Sequence, residues 1–229
     1  MSDVRFVIPA KTGSERVANK NWRPFVDGKC LVELTIEKLL AAGVDPLNVF
    51  VSCEDEATAL PVCERWRVHL ILRNPELCGN EVPLTRWIRE ITAQVPGHSD
   101  IGWAQVCDPL FDNYKQALWW WSLLDRMDYD SLVVCRSWRG YLMTEQGQPI
   151  GWSFGEHHTP SPQLPLFRTM PFTFSILTRK AIEATGYHVG RRPFWLEVPG
   201  MHVDIDTEDD FRLAQMAVEN AKTVEHADR

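Results

Sequence analysis

The feature that most constrains this chain is an alternation, visible from its start, between short apolar runs and stretches of helical spacing. Residues 4–10 carry Val4, Phe6, Val7 and Ile8 and end at Pro9-Ala10, the pattern of a buried strand. After a polar loop, Leu31, Leu34, Ile36, Leu39 and Leu40 recur at helical spacing over 31–42, and Gly43 supplies a stop. Val49, Phe50 and Val51 then form a second strand over 48–52. Strand, helix and strand in this order imply parallel pairing through a right-handed crossover. The rhythm continues with helices expected at 57–66 and 85–95 and strands at 69–72 and 101–106. It predicts an α/β fold with a doubly wound, mostly parallel sheet. Such sheets bind ligands beyond the carboxyl ends of their strands. The loop after Ala10 and the turn at Cys107-Asp108 are therefore expected to face one cleft.

Further along, residues 113–127 read as a helix, with Trp119, Trp120 and Trp121 serving a core or subunit interface in preference to stacking on a base. A strand is expected at 132–135. Periodicity then fades among Gly140, Gly147, Gly151, Gly155, Pro149, Pro160 and Pro162, which marks an arm inserted at about 136–165. Strands at 172–177 and 201–205 and helices at 179–185 and 207–220 complete the reading. No internal repeat interrupts it, so residues 1–229 are taken as a single unit carrying that arm.

Composition narrows the partners. A net charge of −7 opposes nucleic acid as the main ligand, because phosphate-backbone binding needs a basic face. No apolar run approaches the ~20 residues that span a bilayer, and Met1–Arg5 lacks a signal-peptide pattern, so no membrane partner and a cytoplasmic location are expected. The six cysteines, at 30, 53, 63, 78, 107 and 135, contain no C-x-x-C pair and read as reduced, mostly buried thiols.

Two constellations carry chemistry. The first runs Ile8-Pro9-Ala10-Lys11-Thr12-Gly13-Ser14-Glu15-Arg16 and continues to Asn19-Lys20-Asn21. Its glycine allows successive backbone N–H groups to turn inward, and its Lys, Ser and Arg add donors, a combination suited to a triphosphate. The G-x-x-x-x-G-K-[ST] and G-x-G-x-x-G spacings are absent, which removes the main support for kinase, ATPase and dehydrogenase readings. The second is Val203-Asp204-Ile205-Asp206-Thr207-Glu208-Asp209-Asp210-Phe211. In a strand Asp204 and Asp206 would share a face and could hold one hard cation. Thr207 and Asp210 form a variant capping box for the closing helix. Capping accounts for the neighbours and leaves the aspartate pair to be explained.

Together the motifs resemble the cytidylyltransferases that make CMP-activated 2-keto acid sugars, most closely the CMP-sialic acid synthetases. That family opens with I-P-A-R-x-G-S-K-R-x-x-x-K-N and closes with D-I-D-T-x-x-D-F, to which residues 8–21 and 204–211 are similar. Val51-Ser52-Cys53-Glu54-Asp55-Glu56 resembles its V-S-T-D-D-E, and Leu72-Arg73-Asn74-Pro75-Glu76-Leu77 resembles its R-R-P-x-x-L. The resemblance implies a Rossmann-like nucleotidyltransferase fold, with Lys11, Gly13, Ser14, Arg16, Lys20 and Asn21 on the CTP phosphates and nucleotide. It further implies Arg73 near the base or sugar, Gln105 facing the cleft, and Asp204 and Asp206 holding Mg²⁺, with Lys20 and both aspartates at the chemistry. A homodimer through the arm is implied as well.

The sequence departs from that pattern at informative places. Lys11 stands for the usual Arg and loses its planar fork. Glu15 stands for a usual Lys and is expected to face solvent or pair with Arg16. Asp108 could be an extra metal ligand, an acceptor contact or a turn aspartate. In the acceptor region Gln163-Leu164-Pro165 survives while Thr169-Met170-Pro171-Phe172-Thr173-Phe174 is altered. Gln163, Arg168 and Asp108 are the acceptor candidates, with Arg139, His157 and His158 beside them. The expected reaction is CMP transfer from CTP to a sialic-like acid. Transfer to a deoxy-octulosonate or a phosphonate, and a nucleotide-binding homologue without activity, are the alternatives.

Overall fold

The computed structural model describes residues 4–79 and 81–227, with side chains to residue 221; Met1–Asp3 of the amino-terminal stretch discussed above lie outside them. Eight strands form one sheet: β1 (Val4–Pro9), β2 (Val49–Cys53), β3 (His69–Leu72), β4 (Asp100–Ala104), β5 (Ser131–Trp138), β6 (Phe167–Thr169), β7 (Phe174–Leu177) and β8 (Pro193–Glu197). Six α-helices accompany them: α1 (Leu31–Ala41), α2 (Glu56–Trp66), α3 (Leu84–Gln94), α4 (Tyr114–Leu123), α5 (Arg179–Thr185) and α6 (Glu208–Ala227). The order is β3-β2-β1-β4-β7-β5-β6, with β8 also paired to β5. Pairings within β3-β2-β1-β4 and between β5 and β8 are parallel, whereas β7 runs antiparallel to both β4 and β5 and β6 runs antiparallel to β5. This is the mixed, mostly parallel α/β sheet that the alternation implied.

Burial on both faces explains the unbroken apolar runs. Phe6 and Ile8 pack into one cluster with Leu31, Ile36, Leu39, Val51, Phe174, Trp121 and Phe211. Val7 faces the other, with Phe50, Ile71, Ile88, Ile91, Trp103 and Leu177. A parallel strand covered by helices on each side must be apolar at consecutive positions. Gly102 has its own reason. It lies opposite Phe6 in the β1–β4 register, and a Cβ there would come within 2.5 Å of the Phe6 ring. The tryptophan run divides: Trp121 is buried and donates to Asp100 Oδ2 at 3.0 Å, Trp120 packs on Phe194, and Trp119 is exposed.

Two elements differ from the sequence reading. Residues 201–206 form no strand; Ile205 N–H meets Cys107 O at 3.0 Å, but the Ile205 carbonyl is taken by Lys20 Nζ, which leaves no ladder to propagate. The strand beside β5 is instead β8, bracketed by Pro193 and Pro199 and half-exposed, so neither a long apolar run nor clean alternation marks it. β5 also continues to Trp138, three residues past the expected end, because β6 supplies a partner at Arg136, Ser137 and Trp138. The chain between β5 and β6 folds on itself through the Met143–Pro149 bridge and the Trp152 indole bond to Leu142 O. No helix among the described residues is long and apolar enough to cross a membrane.

Candidate active site

β1 delivers the phosphate-loop candidate to the carboxyl edge of the sheet. Ala10 N–H bonds to Ser52 O, and the loop then folds over its own backbone: the Asn21 amide donates to Lys11 O at 2.8 Å and the Trp22 indole to Ala10 O at 3.1 Å. Lys11 Nζ reaches Cys78 O at 3.1 Å. Glu54, at the end of β2, accepts from Thr12 N–H at 2.8 Å, from the Thr12 hydroxyl at 2.6 Å and from Gly13 N–H at 3.4 Å. Burial alone would raise the Glu54 carboxyl, but these donors hold it below the usual range. The backbone donors that the sequence suggested for a triphosphate are thus engaged by a carboxylate of the chain itself.

The second motif arrives from the far end of the sequence. Residues 199–206 are an extended loop held by side chains from several elements. Arg136 donates to the carbonyls of Pro199, Gly200 and Met201. His202 Nδ1 lies 2.8 Å from Asp108 Oδ2, which also accepts from the Thr173 hydroxyl at 2.9 Å. Lys20 Nζ meets Ile205 O at 2.5 Å, and Arg16 pairs with Asp206 Oδ1 at 2.7 Å. Beyond Asp206 the capping box forms as expected: Asp210 N–H bonds to the Thr207 hydroxyl, while the Asp210 carboxylate accepts from Asp206 N–H and Thr207 N–H. Buried Ile205 separates the two aspartates, and both line the cleft although no strand presents them.

The result is a cleft of about 890 Å³ at the strand ends. Lys11, Ser14, Arg16, Lys20, Asn21, Arg73, Gln105, Asp204 and Asp206 all line it, bringing together residues from both motifs. Gly13 does not line it and is exposed on the loop. Glu15 lines the open side and is exposed, but Arg16 pairs with Asp206 and not with Glu15. The acceptor candidates are placed elsewhere. Asp108 does not line the cleft: it is buried, with Oδ2 held by Thr173, His202 and, at 3.9 Å, Arg136, while Oδ1 has no hydrogen-bond partner. Gln163 and Arg168 are exposed outside the cleft lining; Arg139 is tied to Pro162 O and His158 to the Tyr141 hydroxyl, and His157 is exposed.

Of the remaining cleft residues, Trp87 was not singled out from the sequence, whereas Pro171 and Phe172 belong to the altered acceptor stretch and Cys107 to the turn expected to face the cleft. Trp87, on α3, forms a wall over which the Arg73 guanidinium sits at 5.3 Å, and Pro171 and Phe172 form another part of the lining. Cys107 lies on the floor, where burial and then the Asp204 carboxylate push its thiol up. Trp87 could have been suspected as an aromatic on a helix following an irregular segment, but nothing in its spacing distinguishes it from core.

Magnesium fits the donor set in one respect. Mg²⁺ keeps several waters and takes one or two protein carboxylates together with substrate phosphates, and Asp204 and Asp206 offer hard oxygens on one cleft wall. Among the described residues no group of three or more His, Cys, Asp or Glu side chains is arranged to hold a metal by itself. Substrate oxygens would therefore complete the shell.

Residues 5–86 match a family model described as cytidylyltransferase. A search of curated protein sequences gave no significant match. Among solved structures, CMP:2-keto-3-deoxy-manno-octonic acid synthetase complexed with CTP aligns over 96% of this chain and 100% of its own, at 15% identity and a TM-score of 0.63. This is a Rossmann-like nucleotidyltransferase fold. The 4-diphosphocytidyl-2C-methyl-D-erythritol synthase of Anaerococcus prevotii aligns over 95% of this chain and 96% of its own, at 9% identity and 0.66. A cytidylyltransferase from Leptospira borgpetersenii aligns over 96% and 88%, at 14% identity and 0.60. At these identities the likeness to the solved structures is one of fold.

Proposed function

We propose that the chain is a CTP-dependent cytidylyltransferase that joins CMP to a small polyhydroxylated acid and releases pyrophosphate. The observation that carries this reading is the junction of the two motifs: Arg16 and Lys20 of the first sit on Asp206 and Ile205 of the second, inside the cleft that Arg73 and Gln105 also line. The match of residues 5–86 to the cytidylyltransferase model supports the same nucleotide.

In the proposed reaction an acceptor oxygen attacks the α-phosphorus of CTP, the new O–P bond forms in line, and the bond to the β-phosphate oxygen breaks. Lys11, Ser14, Arg16 and Lys20 bind and orient the triphosphate, which lowers the cost of bringing two anions together. Arg16 must leave Asp206 to do so, and the incoming phosphate replaces that carboxylate as its partner. Magnesium, held through Asp204 and Asp206, would supply charge neutralisation at the phosphates. Gln105 offers amide donors to the nucleotide, and Arg73, fixed by Ser52 and stacked on Trp87, offers a rigid surface for the base or sugar.

A sialic-like acid is the acceptor the motif resemblance favours. The likeness to the CMP:2-keto-3-deoxy-manno-octonic acid synthetase supports a deoxy-octulosonate as the second reading. We also propose a homodimer through the arm, where Tyr141, Met143, Ile150, Phe154 and Leu166 expose apolar surface. The decisive experiment incubates pure protein with Mg²⁺, CTP and a panel of N-acetylneuraminate, deoxy-octulosonate and phosphonoacetate while pyrophosphate is measured. Turnover that Asp206→Asn abolishes supports the reading. CTP binding without pyrophosphate release from any acid would instead favour a nucleotide-binding homologue.

A further inference from the structure

Behind one wall of the cleft lies a set of buried polar groups that the proposed chemistry does not use. His188, which follows α5, is 5% exposed, and neither ring nitrogen has a hydrogen-bond partner in the protein. The same holds for Trp103 Nε1 on β4 and Ser175 Oγ on β7. Trp103 and Ser175 are directly paired across the antiparallel β4–β7 ladder, so their side chains rise from one face of the sheet. The His188 ring stacks over Trp103 with centroids 6.3 Å apart and against Tyr187 at 4.3 Å. Leaving one such polar group buried and unpaired costs about 1–3 kcal/mol. Four such atoms on three residues of one aromatic cluster are costly to maintain for packing alone.

What separates this cluster from the cleft is Phe172. Its ring meets His188 edge-on at 5.1 Å while it also lines the cleft and is 42% exposed. Phe172 adopts φ of 55°, the left-handed region that a bulky residue occupies only under constraint. Trp87, which lines the same cleft, packs on Trp103 with ring centroids 5.5 Å apart. A strained, half-exposed ring thus stands between the cleft and a buried imidazole whose two nitrogens have no partner.

We infer that Phe172 is a movable cover over an acceptor subsite in which His188, Ser175 and Trp103 bind the hydroxylated tail of the acid. This rests on the proposed cytidylyl transfer. The chemistry selects the ligand: hydroxyls both donate and accept, matching Ser175 and an imidazole with one N–H and one lone pair, while Trp103 only donates. Aromatic walls suit the apolar faces of a sugar. No cation is placed among these groups, so the carboxylate end belongs in the open cleft and the polyol end here.

His188→Phe keeps the ring stack and removes both unpaired nitrogens, which separates a binding role from a packing role. The subsite predicts a melting temperature raised by a few degrees, because unsatisfied groups are lost, together with a KM for deoxy-octulosonate or N-acetylneuraminate raised at least tenfold while that for CTP moves less than twofold. Ser175→Ala should shift the same acceptor KM in the same direction. A lower melting temperature for His188→Phe, or an unchanged acceptor KM, overturns the inference. Wild-type transfer to phosphonoacetate alone also overturns it and leaves cytidylyl transfer standing. If no acid supports pyrophosphate release, the functional reading fails. The subsite is then judged by thermal shift with each polyhydroxy acid alone, and equal shifts in wild type and His188→Phe overturn it.

Discussion

Acid should destabilise this protein through His188 in a way that one substitution removes. Burial pulls its imidazole from 6.5 down to about 4, with no charged group contributing. A folded-state value below the unfolded one means the unfolded chain takes up the proton first. The stability present above 6.5 is therefore lost progressively as pH falls toward 4. Between pH 7.5 and 4.5 that linkage is worth about 2.5 kcal/mol, since nearly every unfolded chain is protonated at pH 4.5 and only a minority of folded ones. Urea titrations at both pH values, followed by circular dichroism, measure it. Other groups titrate in the same window, so the quantity to read is the difference in acid sensitivity between wild type and His188→Phe. Wild type should lose about 2.5 kcal/mol more than the variant on acidification. Equal losses would show that His188 is solvated or hydrogen-bonded in the native state, and the unpartnered geometry would be refuted.

Other perturbations test the cleft and the sheet. Glu54→Gln should loosen the loop at Thr12 and Gly13 and raise KM for CTP severalfold. Because the Glu54 carboxyl is held below its usual range, its contribution to stability is present above the ordinary carboxylate range and fades as pH falls through its folded value, a fade that denaturation of the variant should lack. Lys20→Met removes both the phosphate donor and the clamp on Ile205 O, and should lower kcat/KM for CTP about a hundredfold or more; a small change would detach Lys20 from the triphosphate. Asp206→Asn should leave the melting temperature nearly unchanged, because its pair with Arg16 is 43% and 71% exposed and such pairs contribute little. Gly102→Ala forces a methyl against the Phe6 ring and should cost about 1–3 kcal/mol by thermal denaturation.

Much of the β-α-β half was legible because burial on both faces of β1 and β2 writes itself as consecutive apolar residues. The carboxyl-edge rule directed the loop after Ala10 and the turn at Cys107-Asp108 to one cleft without any long-range contact being known, and Cys107, though not Asp108, lines it. Legibility failed where structure depends on partners remote in sequence. β8 is a strand because β5 lies beside it, and residues 201–206 are not one because Lys20, 185 residues away from Ile205, takes the carbonyl that a ladder would use. Asp108 looked like a cleft group by its position at a strand end. Thr173 and His202, invisible as neighbours in the sequence, turn it inward. Trp87 escaped notice because an aromatic lining a cleft has the same local signature as one in the core.

The clamp between Lys20 and Ile205, and the second between Arg23 and Glu208, each join residues 185 apart in the chain. Contacts of such separation are entropically late in folding. On a ribosome adding about 5–20 residues per second, the amino-terminal loop emerges about 10–40 s before the segment that completes its cleft. Until then Arg16 lacks Asp206 and Lys20 lacks the Ile205 carbonyl, and a nascent chain released before residue 204 would own a sheet but not the cleft wall that carries the two aspartates. The wall that carries Asp204 and Asp206 is thus completed only when residues 199–206 dock against a loop made some 185 residues earlier.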